Sequence, residues 1–283
     1  MNRRNFCATS GVLGGAALLG LPALAPAAGK GHFQLGCVTY NLLQGMDLET
    51  IIKTLEATGL AAVELRTTHK HGVEPSLGPE ERVKVRERFA KSKVRLLSYG
   101  TTCEFESPDP AERKKQLESG KAFVDLAKDT GAIAVKVRPN GFPKGVPHET
   151  TIRTIGAGLR DLGDYGQSKG IEIWMEVHGS GTQEPEVSAA ILKAAGHKNV
   201  GACWNSNPTD VKDGSVKQSF ELLRPYLRNA HINELSNSYP WRELFTLMRD
   251  SGYDRYTLAE VAESKEPERF LRYYKALWTE LQR

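Results

Sequence analysis

Glu176, Asn205, His231 and Glu260 stand at or near the ends of short apolar runs, separated by 29, 26 and 29 residues. That interval holds one strand, one helix and their turns, so a regular strand–helix repeat carries all four side chains to one end of a parallel sheet. Two carboxylates, an imidazole and an amide gathered there offer three oxygens and one nitrogen. Such a set suits a moderately hard divalent ion, Mn²⁺, Mg²⁺ or Co²⁺, and tolerates Zn²⁺. It contains no thiolate, which argues against a closed structural zinc centre. Taken singly, His231 reads as a hydrogen-bonded core histidine and Glu260 as an ion-pair partner of Arg66 or Lys136. Their recurrence at successive strand ends favours a metal, because a lone buried carboxylate is costly, two repel, and a cation relieves both.

The elements that must position these residues follow from periodicity. Apolar runs at Gln34–Leu42, Ala61–Arg66, Arg95–Gly100, Ala132–Pro139, Ile171–His178, Val200–Asn205, Arg228–Asn233 and Tyr256–Val261 read as strands. Between them lie amphipathic helical segments: Asp47–Thr58, Pro79–Ser92, Asp109–Thr130, His148–Lys169, Pro185–Ala195, Val216–Tyr226, Pro240–Ser251 and Pro267–Leu281. Several are closed by glycine. Eight strands each followed by a helix predict an α/β fold, a single-domain (β/α)8 TIM barrel over residues 29–283. The competing doubly wound open sheet usually has fewer strands. Its glycine-rich phosphate turn is also missing after the first strand, where Tyr40-Asn41-Leu42-Leu43 stands.

In a barrel, chemistry belongs at the carboxyl ends of the strands. That rule selects Tyr40 and Asn41 on strand one, Glu64 and Arg66 ahead of His69 and His71 on strand two, and Lys136 and Arg138 on strand four. Strand six adds Trp204, and strand seven Asn233. Alternation along strand five places Trp174, Glu176 and His178 on one face and turns Met175 and Val177 toward the helices. Glu64, Arg66, His69, Tyr40, Trp204 and Asn233 are candidate substrate contacts, with Trp174 and Phe105 as further apolar platforms for a ring.

The segments Val63-Glu64-Leu65, Glu176-Val177-His178-Gly179, Cys203-Trp204-Asn205, His231-Ile232-Asn233 and Leu258-Ala259-Glu260 resemble the sugar isomerase and epimerase superfamily of xylose isomerase-like barrels. The resemblance spans nearly the whole chain after its leader. It implies one divalent metal held by Glu176, Asn205, His231 and Glu260, with the two glutamates acting as paired acid and base. One departure stands out: the family usually has aspartate on strand six, often with a histidine close behind, where this chain has Asn205-Ser206-Asn207-Pro208. Asparagine still offers a carbonyl oxygen but removes a negative charge, so Asn205 either ligates weakly or holds substrate.

The chemistry so implied is proton transfer beside a carbonyl, with the metal as Lewis acid, giving epimerisation or isomerisation. With a leaving group on the next carbon the same step leads to elimination, as in a 3-keto-glycoside, and Lys136 and His178 then become candidate acids. A related apurinic endonuclease needs more histidines and aspartates than this chain offers, and a basic face. A non-catalytic sugar-binding protein is the reading Asn205 favours. The acidic, glycine-free stretch Ala262–Glu268 after strand eight lacks the features of a barrel phosphate site, which points to an unphosphorylated sugar or keto-sugar as the small-molecule partner.

Residues 1–28 read as an export signal. Arg3-Arg4 precede Phe6 and the uncharged stretch Gly11–Ala28, whose glycines, prolines and small terminal residues mark it for cleavage rather than membrane retention. The arginine pair resembles a twin-arginine signal, implying export of a folded protein to the periplasm. Without this leader the formal charge falls from +4 to +2. No basic block marks a nucleic-acid or membrane surface, and a homo-oligomer is left open. Cys37, Cys103 and Cys203 remain, an odd number that reads as buried thiols rather than a disulfide framework.

Overall fold

The computed structural model describes residues 31–283, and the leader proposed for residues 1–28 lies outside them. β1 (Gln34–Val38), α1 (Leu48–Thr58), β2 (Ala62–Arg66), α2 (Pro79–Ala90), β3 (Arg95–Gly100), α3 (Pro110–Thr130), β4 (Ala134–Val137) and α4 (His148–Lys169) form the first half. The second half runs β5 (Glu172–Glu176), α5 (Pro185–Ala195), β6 (Val200–Asn205), α6 (Lys217–Leu223), β7 (Leu227–Ile232), α7 (Trp241–Asp250), β8 (Tyr256–Ala259) and α8 (Pro267–Leu281). All eight strands are parallel, and β8 pairs with β1 from Gln34–Tyr256 to Cys37–Ala259, so the sheet is a closed barrel in sequence order. The TIM-barrel expectation holds.

Local chemistry explains the boundaries. Asp47 and Asp109 accept from the backbone N–H of Thr50 and Ala111 and so start α1 and α3. Gly59 ends α1 at φ +68°, a left-handed conformation that a side chain would penalise. Five strands stop short of the apolar runs that predict them: β1 at Val38, β4 at Val137, β5 at Glu176, β7 at Ile232 and β8 at Ala259. At this end the chain leaves the hydrogen-bonded ladder and its backbone turns into loops. The predicted helix Val216–Tyr226 is α-helical only over Lys217–Leu223; Pro225, which has no N–H to donate, sits in a 3₁₀ turn over Arg224–Tyr226.

The apolar residues form two shells. Cys37, Val63, Leu65, Val135, Met175, Val177 and Trp204 face the helices, while Val38, Ala62, Leu97, Ala134, Trp174, Cys203 and Leu258 fill the barrel interior. A bulge in β3 helps to build the inner shell. Val63 pairs with Leu96 and Glu64 with Ser98, so the intervening Leu97 turns inward as apolar filling and Ser98 still points at Glu64. Trp174 donates its indole N–H to Glu172, which also holds Arg255 at 2.6 Å. Cys37, Cys103 and Cys203 are buried free thiols. Among the described residues no helix is long and apolar enough to cross a membrane.

Candidate metal centre and its cavity

Above the apolar filling the inward side chains become polar. His231 on β7 is fully buried. Its Nδ1 lies 3.4 Å from Glu176 Oε1 and 3.6 Å from Glu260 Oε2, and its Nε2 lies 3.3 Å from Glu64 Oε1. Neither ring nitrogen makes a hydrogen bond, and Glu64 Oε1 makes none either. Buried polar atoms nearly always have partners, so these orphans on β7 and β2, with carboxylates from β5 and β8 beside them, mark a place shaped for a ligand. One donor atom each from Glu176, His231 and Glu260 lie within 4.8 Å of one another, the one such cluster among the described residues. Two carboxylates and one imidazole fit a divalent cation. Asn205, paired with His231 across the β6–β7 ladder, opens on the same cavity and can add a neutral carbonyl oxygen.

Glu64 corrects one sequence expectation. It does not face substrate; it is fully buried beside His231, where Ser98 donates to its Oε2 at 2.8 Å. Burial would raise its pKa, but the charges of His231 and Lys136 and the Ser98 hydroxyl outweigh burial and hold the carboxyl below its ordinary value. A carboxylate behind a ligating histidine fixes the ring's orientation and tautomer. Gly100 provides the space: a Cβ there would come within 2.6 Å of Glu64 Oε1.

Lys136 on β4 is buried with its ammonium in contact with Glu176 Oε2. Burial would lower its pKa, yet the charges of Glu176 and Glu64 outweigh burial and keep it raised. Glu176 is driven well below its ordinary value by the reciprocal effect: Lys136 and His231 overcome the penalty of its burial. The site therefore holds a charged carboxylate and a charged ammonium in contact, each compensating the desolvation of the other.

A cavity of about 410 Å³ opens above this layer. Tyr40, Asn41, Arg66, Arg138 and His178 line it together with Lys136, Glu176, Asn205 and Glu260. Glu176, Lys136, His178, Asn205, Glu260, Arg66 and Tyr40 thus converge as the sequence predicts. Five other candidates do not reach it. Trp204 is fully buried on the opposite face of β6, tilted against Phe220 of α6 at 6.2 Å, as alternation with Asn205 requires. His69 stacks on Tyr40 at 6.2 Å and shares a 2.8 Å hydrogen bond with Thr39; it braces the cavity wall from behind. Burial and the Arg66 charge push it down to about 4. Asn233 donates to the carbonyl of Ser206 at 2.9 Å and so ties the loops after β6 and β7 together. Trp174 lies below the polar layer, and Phe105 is buried against α4 at Gly158, so neither serves as a sugar platform.

Two lining residues, Asn207 and Gln183, escape the sequence reading. Asn207 stands two residues after Asn205, a signal that strand periodicity provides; its side chain donates to Val177 O at 2.7 Å. Gln183 lies in the loop after β5 and nothing in the sequence marks it.

No curated protein matches the sequence. Among solved structures, D-psicose 3-epimerase from Clostridium cellulolyticum with D-tagatose aligns at TM-score 0.76 and 13% identity, over 88% of this chain and 99% of that one. The IolI protein with a zinc atom aligns at TM-score 0.71 and 15% identity, over 88% and 96%. The 3-keto-D-glucoside 4-epimerase YcjR of Escherichia coli, in its apo form, aligns at TM-score 0.71 and 12% identity, over 88% and 100%. At these identities the likeness concerns the fold. The sequence itself matches a family model over residues 52–277, most of the barrel, and with the strand order and the inward polar layer described above the chain belongs to the xylose isomerase-like TIM barrel family.

Proposed function

We propose that this protein is a divalent-metal-dependent sugar isomerase or epimerase that moves a proton on the carbon beside a carbonyl of an unphosphorylated sugar or keto-sugar. The observation that carries the reading is the convergence of Glu176, His231 and Glu260 within 4.8 Å at the floor of a polar cavity. Its volume, about 410 Å³, falls in the range of small-molecule sites. A bound divalent ion, held by Glu176, His231 and Glu260 with Asn205 beside them, would supply Lewis acidity to the substrate oxygens.

The protein's own groups handle the proton. The Glu260 side chain is 23% exposed, so it can meet the substrate carbon and accept its proton at a carboxylate oxygen. Glu176, three strands away on β5, approaches from another side; itself a carboxylate, it can relay a proton from the Lys136 ammonium it touches, either to the opposite face of the same carbon or to its neighbour, leaving Lys136 to be reprotonated from water. The ammonium of Lys136, held charged beside Glu176, is a hydrogen-bond donor for a developing oxyanion. Glu64 keeps the His231 ring in place during these transfers.

Elimination of the aglycone from a 3-keto-glycoside is the second reading, favoured by Lys136 and His178 lining the same cavity and able to protonate a departing oxygen. Proton NMR in deuterated water on keto-sugars, free ketoses and glycosides, with Mn²⁺-loaded protein, separates the two. Epimerisation or isomerisation replaces one C–H by C–D, elimination also releases the aglycone, and no exchange on any keto-sugar overturns both. Export through the twin-arginine route belongs to the same proposal; an Arg3→Lys, Arg4→Lys chain should stay in the cytoplasm on fractionation.

A further inference from the structure

The charges of the cavity are unevenly distributed. Its anionic groups, Glu176 and Glu260, stand on β5 and at the end of β8, in the layer of His231. On the other side Arg66 ends β2 and Arg138 follows β4, with Gly100 of β3 between them, since Arg66 pairs with Gly100 and Gly100 with Lys136. Gly100 adds no side chain of its own, and the space beside it is taken by Glu64 and the stem of Arg66, so the two guanidinium groups come from strands on either side of it with no β3 side chain between them.

These arginines are weakly committed to the protein. Among the described residues Arg66 has no carboxylate partner; it donates to Thr67 O at 3.1 Å and lies over the Tyr40 ring at 5.6 Å. Arg138 approaches Glu104 at 3.5 Å through one terminal nitrogen, while its Nε is buried without a partner. Lys136 and Glu176 neutralise each other, which leaves Arg66 and Arg138 facing a ligand whose opposite end reaches Glu260. A guanidinium keeps its charge at any working pH and presents paired N–H donors to planar oxyanions, and a cavity lined this way favours an anion.

Resting on the proton-transfer function proposed above, we infer that the substrate carries a carboxylate remote from its reacting carbon, making it a keto-sugar acid. Its carbonyl end meets the metal-binding layer on β5–β8, and its carboxylate meets Arg66 and Arg138 on β2–β4. A phosphate ester shares this charge, but the segment that follows β8, Ala262–Glu268, is acidic and without glycine, unlike the glycine-rich loops a barrel uses for phosphate.

Calorimetric titration of the Mn²⁺-loaded full chain with 5-keto-D-gluconate, D-fructose and D-glucose 6-phosphate at low ionic strength tests the assignment. The acid should bind about ten-fold tighter than the neutral ketose, as a charge-assisted guanidinium pair would give. Arg66→Gln should cut that preference to near unity, and Arg66→Lys should keep part of it. Arg138→Gln is the second variant should Arg66→Gln fail to fold. Equal affinity for 5-keto-D-gluconate and D-fructose overturns the inference, and tightest binding of D-glucose 6-phosphate assigns the arginines to phosphate and overturns it as well. Deuterium incorporation measured on the same samples separates the two levels. Acid preference without exchange on any sugar refutes the proton-transfer reading alone, and exchange without acid preference refutes the inference alone.

Discussion

Replacing Asp210 by asparagine should change how the stability of the barrel depends on pH. Asp210 lies in the 3₁₀ turn Pro208–Asp210 after β6 and is fully buried. Its Oδ2 accepts from Asn207 N–H at 2.9 Å and from the Tyr239 hydroxyl at 2.8 Å, while Oδ1 has no partner. Burial therefore dominates, and despite those two hydrogen bonds the carboxyl is pushed up from 3.8 to about 8. A carboxyl whose pKa is higher folded than unfolded binds more protons in the folded state. Stability is then unaffected by this group below pH ~4, falls as pH rises through the window, and bears the full cost above pH ~8. The slope is at most about 1.4 kcal/mol per pH unit, so going from pH 5 to pH 7 costs about 3 kcal/mol. Asparagine has the same shape, keeps one carbonyl acceptor and never ionises. Urea denaturation midpoints at pH 5, 6, 7 and 8 should show the Asp210→Asn protein gaining on the wild type by about 3 kcal/mol between pH 5 and 7. Two parallel curves would refute the reasoning. Tyr239→Phe removes a bond that favours the charged carboxylate, so it should carry the decline on to higher pH.

Glu64→Gln keeps shape and removes the charge behind His231, so Mn²⁺ affinity measured by chelator competition should fall about 10–100-fold; unchanged affinity would deny the orienting role. Glu260→Gln should slow C–H exchange about 10²–10⁴-fold with an unaltered circular dichroism spectrum, and retained exchange would remove Glu260 from the chemistry. Chelator treatment should abolish exchange and lower stability. Restoring Mn²⁺ at a hundred times its dissociation constant should return both, adding about 2.7 kcal/mol; an identical melting temperature with and without the ion would count against the site.

Much of the fold is written in local patterns. The limits of α4, α5 and α8 follow from sequence alone because Pro185 and Pro267 start two of them and Gly170 and Gly196 close two. Strand ends at the mouth are less legible, since apolar composition continues past the last ladder hydrogen bond, as at Val177 after β5. The inward faces of β5 and β7 follow from alternation, which is why Glu176, His178 and His231 are found by spacing. Alternation also turns Trp204 outward once Asn205 points in, so its aromatic character misleads where its position in the strand does not. Glu64 shows a different limit: its inward direction is readable, but its depth is set by the bulge at Leu97 and the room beside Gly100, both products of pairing between strands. Gln183 comes from a loop whose course no local pattern encodes.

The Trp174 filling, latched below by Glu172 and Arg255, has a kinetic consequence. With Trp174, Leu97 and Leu258 occupying the interior under His231, the described residues close the cavity from below, and the proposed reaction would run in a vessel with one door. Whatever leaves must pass through the opening by which the next molecule arrives, so departure and arrival exclude each other. Product then opposes turnover by standing in the doorway, and raising the substrate concentration suffices to overcome it.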